Sequence, residues 1–148
     1  YSHSRKATFF EGSEMPVIHV DFTEPYTPSL RQRLLGAAAA CGEAVIDGGV
    51  YACTQGPRLE TAAEIERIAR DGGDMVGMTG MPEAVLAREL DMCYATLALV
   101  TDVDAGATTG EGVTVAEVMA EFARNTDRLR AVLFEAARLA AGLESDHT

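Results

Sequence analysis

Residues 93–101 read Cys-Tyr-Ala-Thr-Leu-Ala-Leu-Val-Thr, and no other stretch constrains the fold as strongly. A strand that is apolar on both faces needs cover on both faces, which is the condition of a mostly parallel sheet with helices on either side. The spacing around it agrees. Residues 16–22 alternate and are rich in β-formers, which predicts another strand. Thr27-Pro28 is an N-cap residue followed by proline at the first helical position. Leu30, Leu34, Leu35 and Ala38 follow at helical spacing, so a helix is expected over 28–41, with Gly42 just past its end.

Residues 43–46 and 50–54 are two short strand-like runs separated by Asp47-Gly48-Gly49, the chemistry of a hairpin. Gln55-Gly56-Pro57-Arg58 breaks the second run. A charged amphipathic helix is expected over 61–70, with Ile65 and Ile68 on one face and a stop at Asp71-Gly72-Gly73. Met75-Val76-Gly77-Met78 predicts a short buried strand, and Pro82 opens a helix over 82–90 with Val85, Leu86 and Leu90 inward. After a Gly/Thr loop at 105–112, Thr114 caps a long last helix. Its apolar stripe is Val115, Val118, Phe122, Leu129, Val132, Leu133, Ala136 and Ala140. The order β-α-β-β-α-β-α-β-α predicts an α/β fold, a mostly parallel mixed sheet flanked by helices. No repeat, linker or low-complexity segment divides the 148 residues, so 1–148 reads as part of a single domain.

Charge narrows the function. The 12 basic and 23 acidic residues leave a net charge of −11. Such a chain repels phosphate backbones and anionic membranes, so nucleic acid and membrane surfaces are not expected partners. A small anion remains compatible, because a nest of backbone N–H groups binds one on an acidic protein. With 47% apolar residues, 24% charged residues and no apolar run of 18, a globular chain without a transmembrane helix is expected. Cys41, Cys53 and Cys93 are odd in number, lie in apolar segments and form no CxxC pair. They read as free thiols of a reducing cytosol rather than a zinc site or a disulfide framework. The start, Tyr1-Ser2-His3-Ser4-Arg5-Lys6, has neither a methionine nor a signal-peptide core.

Ligands of an open α/β sheet sit beyond the carboxyl ends of its strands. Three such ends carry polar groups right after an apolar run: residues 51–61, from Tyr51 through Thr54, Leu59 and Glu60 to Thr61; residues 76–83, with Met78 and Thr79; and residues 99–106, with Thr101, Asp102 and Asp104. A helix begins soon after each, offering backbone N–H groups and a positive dipole end. Thr79 alone reads first as a helix cap; the convergence of three ends on one rim is the functional signal. Asp102 and Asp104 suit either a solvated turn or a carboxyl that holds or gives a proton to a heterocycle. Calcium is disfavoured, because DxDxG lacks the remaining ligands of a calcium loop. There is no GxGxxG, Walker-type loop or GxSxG elbow, and His3, His19 and His147 have no metal-ligand spacing, so no metal is expected. His19 within a strand suits a structural histidine.

The segments GPRLETAAEI, VGMTGMPEAVLAREL and YATLALVTDVD, in this order, resemble the trimeric purine nucleoside phosphorylases, most of all the S-methyl-5'-thioadenosine phosphorylases. The resemblance runs from Thr8 to the end of the last helix, and it implies that 1–148 is the C-terminal portion of a single nucleoside phosphorylase domain. The family cleaves the N-glycosidic bond of a purine nucleoside with inorganic phosphate, a co-substrate, and uses no other cofactor. For S-methyl-5'-thioadenosine the products would be adenine and 5-methylthioribose 1-phosphate.

By resemblance, Asp102 is the catalytic residue at N7 of the base, with Thr101 beside it and Asp104 the second base-side aspartate. Leu59 and Glu60 belong to the base pocket, Met78 lies under the ribose and Thr79 binds phosphate. His19 reaches a neighbouring subunit's 5' pocket in a homotrimer. Asp102, rather than asparagine, suits a 6-amino purine. Val115, Val118 and Met119 make an apolar 5' pocket suited to a methylthio group, or are simply the stripe of the last helix, or both. Glu60 points the other way, toward 6-oxopurines such as inosine.

The resemblance also implies that the family's glycine-rich phosphate loop, an Arg-His phosphate pair and several central strands lie upstream of the aligned region. The 148 residues alone are therefore expected to be inactive, with uncovered strand edges. Three functions are weighed: a cytoplasmic phosphorylase, a purine-binding fragment without turnover, and a cation-binding scaffold using the DxDxG loop.

Overall fold

The structure is a computed structural model and describes residues 1–102 and 114–141. Helix α1 (Pro28–Ala40) is followed by strand β1 (Tyr51–Cys53), helix α2 (Ala62–Arg70), strand β2 (Met75–Gly77), helix α3 (Gly80–Glu89) and helix α4 (Val115–Ala140). β1 and β2 pair in parallel, Tyr51 opposite Met75, Ala52 opposite Val76 and Cys53 opposite Gly77. A parallel pair needs a crossover, and α2 supplies it. The fold is therefore α/β around a parallel pair.

Local chemistry explains the crossover. Thr61 caps α2 by accepting from the Glu64 amide, while the Glu64 carboxylate accepts from the Thr61 amide, a reciprocal capping box. At the other end the Gly73 amide reaches back to the Ile68 carbonyl at 2.9 Å. Gly72 there has φ +92°, a conformation open to glycine. The Asp74 carboxylate then accepts from the Val50 amide at 2.7 Å, and the Asp74 amide donates to the Val50 carbonyl at 2.9 Å. These bonds set β2 beside β1 in register.

A second unit is helical. Ala37, Ala38, Val132 and Ala136 form a buried cluster between α1 and α4, with Leu34, Cys41, Leu97 and Leu139 packed around it. Alanines on α1 let the two backbones approach closely. Arg33 donates to the Leu139 carbonyl at 2.8 Å, and the Arg128 guanidinium grips the Glu43 carboxylate. Thr114 and Glu117 form a second capping box at the start of α4.

Several expectations change. The segments 16–22, 43–46 and 93–101 are not strands, and Asp47-Gly48-Gly49 closes no hairpin. Residues 50–54 pair instead with β2. β-formers become a strand only where a neighbour completes the ladder, and these segments have no ladder partner among the described residues. Their side chains show it: Val17 is 81% exposed and Ile46 is 94% exposed. Thr27 stands at the N-cap of α1 but its hydroxyl makes no cap bond; it accepts from the Tyr94 amide at 2.9 Å. Only Val132 and Ala136 of the α4 stripe are buried, while Val115, Phe122 and Leu133 are exposed. The Gly/Thr loop, Asp104 and His147 lie outside the described residues.

The α1–α4 cluster leaves no room at Ala38, which is fully buried. Ala38→Leu is expected to cost about 1–3 kcal/mol of stability by overpacking. Urea unfolding checks it; an unchanged midpoint would mean that α1 and α4 do not pack through this face.

Candidate active site

The carboxyl ends of β1 and β2 lie side by side, and one aromatic ring organises both. Tyr51, the first residue of β1, lies against Gly77 and Gly80, where a Cβ at either position would run into its ring. The Tyr51 hydroxyl accepts from the Thr79 amide at 3.2 Å and sits 3.3 Å from the Thr79 hydroxyl. Glycine is required at Gly77 and Gly80 for close approach rather than for backbone freedom. Thr79 itself is exposed and precedes α3, but its side chain makes no cap bond, contrary to the capping expectation. α3 is broken at Met81 (φ −119°, ψ 135°), so its regular turns begin at Pro82 as the sequence suggests. The Met81 amide donates to the Cys53 thiol sulfur at 3.2 Å.

The turn after β1 carries the second group. The Thr54 amide extends the ladder by donating to the Gly77 carbonyl at 2.8 Å. The Thr54 hydroxyl donates to Glu60 Oε1 at 2.5 Å, which holds the half-buried carboxylate beside the strand end. Gly56, with φ +63°, lies under the Met78 side chain, so the turn after β1 touches the turn after β2. An open cleft of about 370 Å³ is lined here by His3, Thr54, Gln55, Arg58, Glu60 and Glu64. Arg58 binds Glu64 through two parallel bonds of 2.8 Å. That guanidinium, then the Thr61 amide and hydroxyl, hold the Glu64 carboxyl down at about 2.

The expected site residues divide. Glu60 lies on the turn after β1, where Thr54 holds it, while Met78 and Thr79 lie on the turn after β2; Leu59 stands exposed on the same turn as Glu60. Thr101 is half-buried and Asp102 exposed. Asp102 is thus not the carboxyl at the end of a covered strand that residues 93–101 suggested. Val115 and Met119 are exposed and Val118 half-buried on α4, whose principal packing partner is α1. His19 is exposed in a segment that is not a strand.

Sequence reasoning missed Arg5, and it placed Tyr51 and Thr54 in a rim segment without giving either a role. For Tyr51 a signal exists in the pair Gly77 and Gly80, since small residues flanking a strand end mark a close approach. For Arg5 no local signal exists, because its partners lie 49 to 76 residues away.

A parallel β-α-β unit with a hydroxyl, a carboxylate and a helix start at its carboxyl edge places the chain in the α/β class, whose ligands sit at such edges. Residues 1–138 match the Phosphorylase superfamily, and the chain belongs to that family. It is 53% identical over 133 residues to a probable S-methyl-5'-thioinosine phosphorylase of Pseudomonas syringae pv. tomato, covering 90% of this chain and 54% of that protein. It is 49% identical over 132 residues to S-methyl-5'-thioadenosine phosphorylase of Mycolicibacterium smegmatis, covering 89% of this chain and 48% of the relative. Methylthioadenosine phosphorylase from Schistosoma mansoni in complex with adenine superposes with a TM-score of 0.89 at 29% identity. That match covers 97% of this chain and 57% of the solved one. The chain thus spans about half the length of the relatives it matches.

Two outcomes follow from this geometry. Gly77→Ala or Gly80→Ala is expected to destabilise by about 1–3 kcal/mol, because the added Cβ runs into the Tyr51 ring and must push it aside. The loss is expected to shrink in a Tyr51→Ala background; a double-mutant cycle with additive penalties would show that the ring is not the obstacle. The second outcome concerns pH. Glu64 titrates at about 2 against an ordinary value of 4.5, so its contribution is complete above 4.5 and is lost as pH falls toward 2. The stability gap between the wild type and Glu64→Gln is expected to narrow as pH falls from 5 to 2. Denaturant unfolding across that range checks it, and a constant gap would remove Glu64 from the capping role.

Proposed function

We propose that this chain supplies the base side and one phosphate contact of a purine nucleoside phosphorylase, which cleaves the N-glycosidic bond with inorganic phosphate. The observation that carries the reading is that Thr79 and Glu60 lie on the turns that follow two adjoining parallel strands, each held by a partner, Tyr51 and Thr54. The Tyr51 hydroxyl accepts from the Thr79 amide, so its own proton is available to the Thr79 oxygen. The Thr79 hydroxyl then donates outward, toward an anion at the start of α3. Glu60 accepts from Thr54 through one oxygen and retains acceptor capacity for a donor on a purine edge. Asp102 takes the N7 side, where a hydrogen bond or a proton makes the base a better leaving group.

The substrate in this reading is S-methyl-5'-thioadenosine, with Val115, Val118 and Met119 as an apolar 5' pocket, Asp104 as a second base-side aspartate and His19 serving a neighbouring copy in a homotrimer. The apolar character of Val115 and Met119 supports the 5' assignment. A second reading, a 6-oxopurine such as methylthioinosine or inosine, is favoured by Glu60, whose carboxylate would accept an N1 proton. Relatives named for each substrate match this chain at similar identity.

The test is base release from methylthioadenosine, methylthioinosine and inosine, with and without phosphate, on the protein at its full natural length. Adenine release that requires phosphate, with inosine poor, supports the first substrate; preference for a 6-oxopurine selects the second. No phosphate-dependent release from any of them overturns the proposal. Asp102→Asn is expected to lower kcat/KM for the 6-amino substrate by about 10²-fold or more. Unchanged turnover would remove Asp102 from the base.

A further inference from the structure

Both rim turns end on the same side chain. The Arg5 guanidinium donates through Nη1 to the Met78 carbonyl at 2.7 Å and to the Met81 carbonyl. Through Nη2 it donates to the Thr54 carbonyl at 3.1 Å and to the Gln55 carbonyl at 2.7 Å. Two of these acceptors follow β1 and two follow β2. The acceptors on the β2 side bracket Thr79 and Gly80, and those on the β1 side precede Glu60 by five and six residues.

A planar fork with five donors suits this task, because one rigid group fixes several acceptors in a set geometry. The carbonyls satisfied are those that lie past the last rung of the short ladder. Without a donor they would face a partly buried space unpaired, at a desolvation cost. Arg5 comes from a segment outside every helix and strand; the His3 amide beside it also donates to the Gln55 side chain at 3.0 Å, so the segment is tied to the turn after β1 at two points.

We infer that Arg5 is a positioning residue: it locks the turn that carries Glu60 to the turn that carries Met78 and Thr79, and so sets the distance between the base-side and phosphate-side groups. The inference rests on the phosphorylase reading of that rim for its catalytic consequence, but the locking itself does not. A lysine at this position keeps the charge yet presents a single nitrogen, which cannot span both turns.

The experiment uses Arg5→Lys and Arg5→Ala in the protein at its full natural length. The first readout is amide hydrogen exchange at Thr54, Thr79 and Met81. Exchange there is expected to quicken about tenfold or more in both variants, while the α1–α4 amides around Ala37 and Val132 stay unchanged. The second readout is steady-state kinetics. Both variants are expected to lose about 10- to 100-fold in kcat/KM toward nucleoside and toward phosphate, as misplacement of either group by an ångström would produce.

Rim exchange that is unchanged in folded variants overturns the lock whatever the enzyme does. Full restoration by lysine of both exchange and kinetics also overturns it, since charge alone would then suffice. Quickened rim exchange with full activity retains the lock and overturns its catalytic consequence. Quickened exchange in a protein whose wild type cleaves no nucleoside supports the lock and rejects the phosphorylase reading instead. If Arg5→Ala does not fold, Arg5→Lys carries both readouts.

Discussion

The parallel pairing of Tyr51–Cys53 with Met75–Gly77 is the constraint on which the rest of the rim depends. It is the only ladder among the described residues, and it is three residues long. So short a ladder holds only because its ends are tied by other means. Asp74 ties the entrance to the Val50 backbone. Tyr51 fills the space that Gly77 and Gly80 leave, and Arg5 gathers the carbonyls at the exit. Most of these ties are polar bonds to backbone.

The helical pair is built on a different principle. α1 and α4 meet through alanines and Val132, with ion pairs confined to the exposed margin. Such exposed pairs contribute little, so burial of small side chains carries this contact. The N-terminal half of α4 continues the apolar stripe beyond what α1 covers, leaving Val115, Met119 and Phe122 open. The same is true of Val17, Ile46 and Val100 in segments whose composition suits strands.

How much was legible follows from how local each determinant is. Caps and stops were readable because they act within four residues. Thr61 with Glu64 and Thr114 with Glu117 form their boxes, Gly72 and Gly73 end α2, and Pro82 begins the regular part of α3. Strands were readable only where a partner exists. Residues 75–77 found one in β1, whereas 93–101, the most strand-like run of all, did not. In the site, the turns that carry Glu60, Met78 and Thr79 were legible from their motifs, and they follow the two paired strands. The exposure of Asp102 was not legible, because burial of a strand end is set by what lies over it.

The sequence alone determined the helices, the caps at Thr61 and Thr114, the parallel α/β class and the family, since each is written in short-range spacing or in contiguous motifs. Tertiary structure alone decided that Thr27 bonds Tyr94 instead of its own helix and that Tyr51 faces Thr79. It also decided that Arg5 joins two turns more than forty residues further along the chain. The physical reason is the same in each case. A hydroxyl or guanidinium can satisfy many acceptors, and only the folded chain selects which carbonyls and amides are close enough, and sufficiently shielded from water, to need it.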